Sequence, residues 1–406
     1  MKVLLVISKF IPEYSGPGFR LDNTYKRLLN IYPGLKLEVV CGGVEQRNFD
    51  VYDVNGTNVT RIQSRVFPGK GRVVKAIQSF REAFDVWRLL KTKSFDVLHV
   101  VGMTSLTATA IMFASRSNHS MLIELVNSNA IAKQTLPGFH RLWEPNVRQR
   151  VVVCVISEVL AQNCRNEGIF DNIWSRPNPV DTSRFYPDFK NRNKFRRNHS
   201  SFHDDDIVLT SVAKFMPRKN QIFLLEVLAL LPEKYKLILA GPLIHKGPLV
   251  QRDLNYMNEI VNKIKNLHLE DRVLIKTQFV NTPEFIKLSD VYLMPAYHEG
   301  LGTPMLESIA CGVPVVANED EDAFRQWCDH GENGFLVPLK PEKWAAAIKK
   351  AVNIPSEKME KMAKKIKFQA GSDVIDQQYK LILEALAKSS SKEVIKVSNV
   401  LKQLAE

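Results

Sequence analysis

The sequence predicts an α/β protein of two domains, each built on a mainly parallel sheet. Three observations support this fold class. At 406 residues the chain is too long for one ordinary core, and it suits two domains of roughly 150–200 residues each. Short apolar runs typical of buried strands alternate with helical patterns, as in parallel sheets covered by helices. The hydrophobic content of 45% and the charged content of 24% are those of a globular protein.

Composition also limits the compartment and the partners. The net charge of +13 favours an anionic partner, and nucleotide-sugars, anionic lipid surfaces and nucleic acid all qualify. No apolar run approaches the ~18 residues of a transmembrane helix, and the amino-terminal segment is too short for a secretory signal. We therefore expect a cytoplasmic protein. Five cysteines lack the spacing of a zinc site or a disulfide framework, and Cys154 and Cys311 lie in apolar runs typical of a core.

The first half of the chain carries apolar runs that predict buried strands. They are Lys2–Ser8, Leu37–Cys41, Phe95–Gly102, Met121–Val126 and Val151–Ser157. His99 lies inside one of these runs, so a core position is favoured over a catalytic one. Val51–Arg61 predicts a peripheral hairpin around Asn55-Gly56.

The loop after the first predicted strand, Lys9–Arg20, contains Ser15-Gly-Pro-Gly18. Glycines between a strand and a helix let a ligand approach the backbone closely. Gly16 and Gly18 are therefore candidate binding residues, and a flexible surface turn is the alternative. The pattern is not Gly-x-Gly-x-x-Gly, which argues against a nicotinamide site.

The segment Arg61–Lys93 is strongly basic, with nine basic residues against two acids. A helical pattern in its second half places apolar residues on one stripe, and these are Val73, Ile77, Phe80, Phe84 and Trp87. Such a helix either lies on an anionic membrane or packs its stripe into the core with its charges in solvent. Core packing is the favoured interpretation. Lipid contact remains open, and it would place the protein peripherally at the inner face of the membrane.

A Pro-rich, non-periodic stretch, Ser175–Phe185, is typical of a linker, and the polar run Lys190–Ser200 is expected to continue that junction. The second half then predicts further strands, namely Ile207–Ala213, Tyr235–Ala240, Val273–Thr277, Asp290–Pro295 and Val313–Ala317. Three cations, Lys214, Arg218 and Lys219, follow the first of them and precede a helix predicted at Gln221–Leu231. A pyrophosphate fits such a turn, and a solvated basic turn is the alternative.

The stretch 295–317 is predicted to form a loop, a short helix and a strand. Thr303 suits a helix N-cap, Pro304 suits the first helical position, and Gly312 stops a helix of about Pro304–Cys311. The preceding loop lies where a parallel strand ends and a helix begins, which is where open α/β sheets bind ligands. Phosphate is favoured there by the helix dipole. Glu299 and Glu307 are good acceptors for sugar hydroxyls beside it, unless they are merely a solvated loop residue and a complement to the dipole.

These residues resemble the Glu-x7-Glu signature of family 4 glycosyltransferases. Here it stands as Glu299-Gly-Leu-Gly-Thr-Pro-Met-Leu-Glu307, followed by the similar Ala310-Cys-Gly-Val-Pro-Val-Val-Ala317. The resemblance implies a retaining enzyme of GT-B fold, with two Rossmann-like domains facing across a cleft and a C-terminal helix returning to the first domain. It implies an acceptor-binding domain at residues 1–185 and a donor-binding domain at 186–373. Residues 374–406 would form a crossing helix, about Val374–Ala387, and a polar tail from Ser389.

The resemblance also implies site roles. Glu307 would hold the donor ribose and Glu299 the sugar hydroxyls, while Lys214, Lys219 and the helix N-terminus would stabilise the leaving diphosphate. The full binding set is Gly16, Gly18, Lys214, Arg218, Lys219, Glu299, Gly300, Leu301, Gly302, Thr303, Pro304 and Glu307, with no metal. The chain departs from the family pattern in several places, namely Pro17 between the glycines, Lys214 for arginine, Asn220 for glycine, Asn127 where relatives have a histidine, and the acidic run Asn318–Asp322 for a glycine-rich loop.

The predicted function is metal-independent transfer of a sugar from a nucleoside diphosphate donor to a glycan, lipid-linked or small-molecule acceptor, with no further cofactor. A catalytically silent nucleotide-sugar-binding protein is one alternative, and a GT-B epimerase or phosphorylase is another. A nucleic-acid partner is not expected, because the charge is unaccompanied by interleaved aromatics or a known reading motif.

Overall fold

The computed structural model describes residues 1–13, 15–43, 50–63, 71–102, 104–126, 145–168, 172–245, 249–389 and 395–404. The chain divides into two compact units. Unit 1 comprises Met1–Pro179 together with Asp373–Glu406, and unit 2 comprises Val180–Ser372.

Unit 1 is built on an eight-stranded sheet. Its strands are β1 (Lys2–Ile7), β2 (Lys36–Gly43), β3 (Asp50–Val54), β4 (Thr57–Gln63), β5 (Val97–Val101), β6 (Ser120–Leu125), β7 (Val151–Val155) and β8 (Ile173–Ser175). Their order is β3-β4-β2-β1-β5-β6-β7-β8. All neighbours pair in parallel except β3 and β4. The central strands are buried along their length, as expected for the nearly continuous Val, Ile and Leu runs of a sheet covered on both faces.

The peripheral hairpin predicted at Val51–Arg61 is confirmed. β3 and β4 pair antiparallel around Asn55-Gly56, and both turn residues have positive φ, 52° and 84°. Asp53 Oδ1 accepts a hydrogen bond of 2.8 Å from the Gly56 N–H. Asn and Gly are the residues that tolerate this left-handed backbone in a two-residue turn.

The first helices of unit 1 are α1 (Gly16–Ile31), α2 (Arg72–Leu90), α3 (Ser105–Arg116), α4 (Pro145–Arg148) and α5 (Glu158–Asn166). Gly16 and Gly18 therefore lie in the first turn of α1 and not in a loop, which corrects the expected loop Lys9–Arg20. Ser15 is the N-cap, and its side chain accepts from the Gly18 N–H at 3.2 Å.

The favoured interpretation of α2, that its apolar stripe packs into the core, is wrong for most of the stripe. Val73, Ile77, Phe80 and Phe84 are between 53% and 75% exposed. Only Trp87 packs, with its ring edge-on to Phe113 of α3 at 5.1 Å between centroids. The face that α2 buries carries Glu82, Val86 and Leu90, so the stripe is turned away from the core.

Unit 2 is built on a six-stranded parallel sheet, and its strands alternate with helices along the chain. The strands are β9 (Ile207–Val212), β10 (Tyr235–Ala240), β11 (Val273–Lys276), β12 (Val291–Met294), β13 (Val315–Asn318) and β14 (Gly334–Val337). The helices are α6 (Arg192–His199), α7 (Gln221–Ala229), α8 (Val250–Asn266), α9 (Thr282–Lys287), α10 (Thr303–Ala310), α11 (Asp322–Arg325), α12 (Pro341–Ala351) and α13 (Ser356–Ala370).

The chain then returns to unit 1 through α14 (Ser372–Lys388) and α15 (Val397–Lys402). The apolar face of α14 is completely buried in the same core as β1 and α1, and it consists of Ile375, Tyr379, Ile382, Leu383 and Leu386. The prediction that a C-terminal helix returns to the first domain is confirmed.

The polar run Lys190–Ser200, which was expected to continue the junction, contains the helix α6 (Arg192–His199). Arg196 of this helix is buried, and its guanidinium has several hydrogen-bond partners. Its guanidinium donates to the carbonyl oxygens of Leu288, Asp204 and Asp206 and pairs with Asp290 Oδ2 at 2.6 Å. Arg196 lies in a run that was expected to be a polar junction, but its hydrogen bonds anchor α6 to the rest of unit 2.

The order of the second sheet, β11-β10-β9-β12-β13-β14, places the first and fourth strands of unit 2 side by side. The chain reverses its direction of winding between β9 and β12, and ligands bind outside the carboxyl ends of the strands at such a point. The loops that leave β9 and β12 carry the predicted cations and Glu299. The fold therefore places four residues predicted to bind the nucleotide-sugar at this switch point, namely Lys214, Arg218, Lys219 and Glu299.

Candidate functional site

The loops that follow β9 and β12 are joined by hydrogen bonds. The Tyr297 N–H donates to the Arg218 carbonyl at 2.9 Å, and Asn220 Nδ2 donates to the Pro295 carbonyl at 3.3 Å. Asn220 has a φ of 52°, in the left-handed region that favours glycine and tolerates asparagine. Its presence where the family has glycine therefore keeps the same backbone available.

Glu299 is the centre of charge in this region. Its Oε1 lies 2.6 Å from Lys219 Nζ and 3.0 Å from Arg218 Nη1. The Glu299 side chain is 11% exposed, so this pairing takes place in a mostly water-excluded setting where charge-assisted hydrogen bonds are strong. Three of the predicted site residues are thus in direct contact, and the Glu299 carboxylate offsets one of the two positive charges.

Lys214 is held by a different carboxylate. Its Nζ lies 2.7 Å from Asp253 Oδ2 in the first turns of α8, and Asp253 is 1% exposed. Arg252 also donates to Asp253, through Nε at 2.9 Å and Nη2 at 2.6 Å. Sequence reasoning missed Asp253, because one acid among the polar residues of an amphipathic helix gives no signal of burial.

The helix α10 begins one residue earlier than predicted. Gly302, with a φ of 77°, is its N-cap, and Thr303 is its first residue, so the expected Thr303 cap is wrong. A Cβ on Gly302 would lie 2.5 Å from the Phe324 ring, so both the backbone conformation and the packing require glycine. The positive end of the α10 dipole lies at its N-terminus, next to the loop 299–302 that precedes it. Gly302 has no side chain that could cap this end of the helix.

Glu307 lies on α10, where burial raises its pKa to about 7 and the positive charge of Arg184 partly offsets that rise. A carboxyl group with this pKa changes between donor and acceptor near neutral pH. Tyr292 lies beneath the same region, with its hydroxyl bonded to both the N–H and the carbonyl of Val212 at 3.1 and 2.9 Å. These two hydrogen bonds link β12 to Val212, the last residue of β9.

Two residues tie the acidic run Asn318–Asp322 to the loop after β12. Asn318 Nδ2 donates to the Ala296 carbonyl at 3.3 Å, and Glu321 is the second. Glu321 accepts from the N–H groups of His298 and Glu299, whereas Asp322 forms a surface pair with Arg325 at 3.3 Å. In the part of the chain that the structure describes, no group of three or more metal-ligating side chains is clustered. Nor does any helix there have the length and apolarity needed to span a bilayer.

In unit 1, the two predicted glycines differ in what they require. A Cβ on Gly18 would lie 2.8 Å from the Lys9 carbonyl oxygen, whereas a Cβ on Gly16 would meet open space. Gly18 therefore has a packing reason to be glycine that is independent of any ligand. Asn127, the position where relatives have a histidine, lies outside the described residues.

Unit 1 also contains a buried charge cluster that the sequence did not reveal. Glu124 at the end of β6 pairs with Arg20 at 2.7 Å and with Arg176, and Tyr379 of α14 donates to its other oxygen at 3.4 Å. Burial alone would raise the pKa of Glu124, but Arg176 and Arg20 outweigh it and hold the pKa well below the usual range.

His99 is completely buried beside this cluster, as predicted. Its Nδ1 is 2.7 Å from the Tyr25 hydroxyl, and its Nε2 is 3.4 Å from Glu124. Burial lowers the pKa of His99 despite the nearby Glu124 carboxylate. The ring therefore belongs to the internal network of unit 1.

Comparison with solved structures agrees with this architecture. The chain superposes on sucrose-phosphate synthase from Thermosynechococcus elongatus with a TM-score of 0.77 at 17% identity, covering 96% of this chain and 100% of that one. It also superposes on Anabaena Alr3699/HepE in complex with UDP-glucose, with a TM-score of 0.67 at 17% identity over 95% and 99% of the two chains. The fold is that of the GT-B glycosyltransferases, and the predicted fold class is confirmed.

Sequence comparison finds a family match for unit 2. Residues 191–369 match the family described as "Glycosyl transferases group 1". N-acetyl-alpha-D-glucosaminyl L-malate synthase of Bacillus anthracis is 35% identical over 80 residues, which is 20% of this chain and 21% of that protein. The putative glycosyltransferase EpsD of Bacillus subtilis is 31% identical over 163 residues, 39% of this chain and 40% of that protein.

These alignments thus span well under half the length of either relative, and the family match itself lies within unit 2. Within unit 2, the match to the group 1 glycosyltransferases agrees with the predicted resemblance to family 4.

Proposed function

We propose that this protein is a retaining glycosyltransferase that takes a sugar from a nucleoside diphosphate donor bound by unit 2. The observation that carries the proposal is the contact of Lys219 and Arg218 with Glu299 at the switch point of the second sheet. Cations suited to a diphosphate and a carboxylate suited to sugar hydroxyls are within hydrogen-bond distance, beside a helix N-terminus.

Each group has a separate role in this proposal. Lys219 and the N-terminus of α10 bind the diphosphate and stabilise the negative charge that grows on it as the sugar departs. Glu299 accepts from hydroxyls of the sugar, and Glu307 accepts from the ribose. Lys214 contributes positive charge while Asp253 fixes its position. Gly300, Leu301, Gly302, Thr303 and Pro304 provide the backbone that lines this part of the site.

Charge stabilisation by these groups would make a divalent metal unnecessary. The departing diphosphate oxygen is then the base that accepts the proton of the incoming acceptor hydroxyl, on the face from which the diphosphate leaves. The glycosidic bond to the diphosphate breaks as the bond to the acceptor oxygen forms, and the anomeric configuration is retained.

We infer a glycan or lipid-linked acceptor. One relative is named UDP-Gal:alpha-D-GlcNAc-diphosphoundecaprenol alpha-1,3-galactosyltransferase, from Escherichia coli, and it is 21% identical over 66% of this chain and 69% of that protein. Another is the capsular polysaccharide biosynthesis glycosyltransferase CapH of Staphylococcus aureus, 22% identical over 68% of this chain and 74% of that protein.

A surface of unit 1 supports peripheral contact with an anionic membrane. Four residues of the apolar stripe of α2, Val73, Ile77, Phe80 and Phe84, are exposed. Arg81 and Arg88 on the same helix are also exposed. Of its two acids, Glu82 is buried and accepts from Ser105, and Asp85 is half-buried. An apolar stripe with cations beside it matches the interface of an anionic lipid bilayer.

Calorimetric titration with a panel of nucleoside diphosphates and their sugar conjugates tests the proposal. We expect one base to bind in the micromolar range and its sugar conjugate to be turned over in the presence of acceptor. Tight binding of a sugar conjugate without release of nucleoside diphosphate would favour a silent binding protein. No binding across the panel would refute the donor site.

A further inference from the structure

The acidic run in unit 2 makes a contact that its composition does not explain. Glu321, the N-cap residue of α11, follows β13 and reaches the loop that leaves the neighbouring strand β12. Its Oε1 accepts from the His298 N–H at 2.6 Å, and its Oε2 accepts from the Glu299 N–H at 2.8 Å. One carboxylate therefore satisfies two successive backbone donors, which only a group with two acceptor oxygens can do in this way.

Arg218 also holds this segment. Its Nη1 donates to the carbonyl oxygens of Tyr297 and His298 at 3.3 and 3.0 Å, and its own carbonyl accepts from the Tyr297 N–H at 2.9 Å. Arg218 therefore contacts the carbonyl groups of Tyr297 and His298, and Glu321 contacts the amides of His298 and Glu299. We call this arrangement the loop clamp, and it consists of Arg218 and Glu321.

The segment needs such a clamp because its backbone is strained. His298 has a φ of 55°, in the left-handed region that is unfavourable for a residue with a side chain. The two charge-assisted hydrogen bonds that Glu321 accepts are strong enough to offset that cost. Removing the carboxylate lets the loop relax at the residue that immediately precedes Glu299.

We propose that Glu321 is a positioning residue that fixes the direction of the Glu299 carboxylate. This inference rests on the proposed function, in which Glu299 accepts from the donor sugar. Glu321 fixes the backbone N–H of Glu299, while Arg218 and Lys219 contact its carboxylate. The acidic residue that replaces part of the family's glycine-rich loop thus completes the sugar-binding edge of the site from the neighbouring strand.

Loss of Glu321 should affect binding of the sugar and not binding of the diphosphate. Glu321 contacts neither Lys219 nor the first turn of α10 among the hydrogen bonds of the described residues. Its loss should spare the affinity for free nucleoside diphosphate and reduce turnover of the intact donor. A purely structural role would weaken both together, in proportion to the fraction of protein unfolded.

The test compares Glu321→Ala and Glu321→Gln with Asp322→Ala as the matched control. Asp322 is the next carboxylate along the chain, and it pairs only at the surface, with 73% of its side chain exposed. We expect Glu321→Ala to lower kcat/KM for the sugar donor at least ~10-fold, the equivalent of one lost charge-assisted hydrogen bond. Nucleoside diphosphate affinity should stay within about 2-fold of wild type. Glu321→Gln, with one acceptor oxygen, should fall between, and Asp322→Ala should match wild type.

Hydrogen exchange gives a readout that does not depend on activity. The amides of His298 and Glu299 should exchange at least ~10-fold faster in Glu321→Ala than in wild type, while the amides of β9 and β12 stay protected. Unchanged exchange at these two amides would overturn the clamp, and so would wild-type turnover in Glu321→Ala. If exchange accelerates but no donor binds the wild-type protein, then the proposed function fails and the positioning of the loop by Glu321 stands.

Discussion

Lys219 Nζ lies 2.6 Å from Glu299 Oε1, so the cation proposed to bind the diphosphate and the carboxylate proposed to bind the sugar are paired with each other. A donor that enters this site must exchange that ion pair for contacts of its own. The pair orients the two side chains toward each other, and we expect its loss to be an energetic cost of donor binding.

This pairing predicts opposite effects for the two partners. Lys219→Ala should weaken nucleoside diphosphate by about 10- to 150-fold, the loss of one charge-assisted hydrogen bond, while leaving free nucleoside unaffected. Glu299→Ala should leave nucleoside diphosphate binding equal or tighter, because it removes the competing carboxylate, and it should reduce turnover. Calorimetry with nucleoside, nucleoside diphosphate and intact donor measures all three.

Lys263→Ala is the matched control for these variants, since Lys263 pairs with Glu226 at 2.8 Å on the surface of unit 2. It should bind every ligand as wild type does. If Glu299→Ala lost nucleoside diphosphate as severely as Lys219→Ala, the assignment of Glu299 to the sugar would be wrong, and Glu299 would have a structural role in shaping the loop.

The second prediction concerns pH. Because burial raises the pKa of Glu307 to about 7, the group is protonated in the folded protein at pH values where it is ionised in the unfolded chain. Its contribution to stability is therefore present below its unfolded pKa and is lost as the pH rises through about 7. Ribose hydroxyls prefer the ionised acceptor, so nucleoside affinity should rise across the same interval.

Glu307→Gln should flatten the dependence of nucleoside affinity on pH around neutrality, as measured by calorimetry in buffers of different protonation enthalpy. A wild-type affinity that is constant across this interval, or that falls with rising pH, would contradict the proposed role of Glu307 as a hydrogen-bond acceptor.

The third prediction concerns the buried cluster of unit 1. Glu124→Gln removes the carboxylate that Arg20 and Arg176 share in the described part of unit 1, and leaving such charges buried costs roughly 3–5 kcal/mol. Because the folded pKa of Glu124 is depressed, its stabilisation is present at neutral pH and is lost as the pH falls below the usual carboxyl range.

Urea denaturation of Glu124→Gln beside Glu158→Gln measures this effect. Glu158 pairs with Arg165 on the surface, with 55% of its side chain exposed, so its loss should change the free energy of unfolding by less than ~1 kcal/mol. Equal and small effects in both variants would show that the cluster does not stabilise unit 1.

The fourth prediction is reversible binding to anionic vesicles through α2. Each cation near the surface contributes about 1 kcal/mol, and insertion of Phe80 and Phe84 adds apolar burial. Phe80→Ser with Phe84→Ser should reduce co-sedimentation with vesicles that contain phosphatidylglycerol, and high salt should reduce it in wild type. Phe368→Ser, which alters an 80% exposed phenylalanine in unit 2, is the control. Salt-independent binding, or none, would rule out this surface.

The fifth prediction is activity without a divalent metal. Lys214, Lys219 and the N-terminus of α10 are the groups proposed to stabilise the leaving diphosphate. Turnover should persist after treatment with EDTA and dialysis. Loss of turnover with EDTA and its return with magnesium or manganese would assign that charge stabilisation to a metal instead.

The sequence predicted the parts of this structure that depend on local patterns. Val, Ile and Leu runs located most strands of both sheets, and the strand-end positions of Lys219 and Glu299 indicated that both loops suit ligand binding. Helix ends were less accurate, since Gly302 caps α10 through a backbone conformation that depends on the space beside Phe324.

The failures arose where a side chain finds a partner far away in sequence. Arg196 is buried because Asp290 lies beside it, and the apolar stripe of α2 is exposed because Val86 and Leu90 occupy the buried face. Glu321 looked like part of a solvated acidic run until its position beside the amides of His298 and Glu299 was known. Neither the pairing of Arg196 with Asp290 nor the contact of Glu321 with the amides of His298 and Glu299 has a period or a spacing in the sequence.

Retaining sugar transfer is tested most directly by following donor hydrolysis by proton NMR, using the α-linked nucleoside diphosphate sugar that binds most tightly. We expect nucleoside diphosphate to be released together with sugar that first appears as the α anomer, and we expect Lys219→Ala to slow this release. Release of the β anomer first would contradict retention. Tight binding with no release, in the presence of water or any acceptor, would contradict transfer itself.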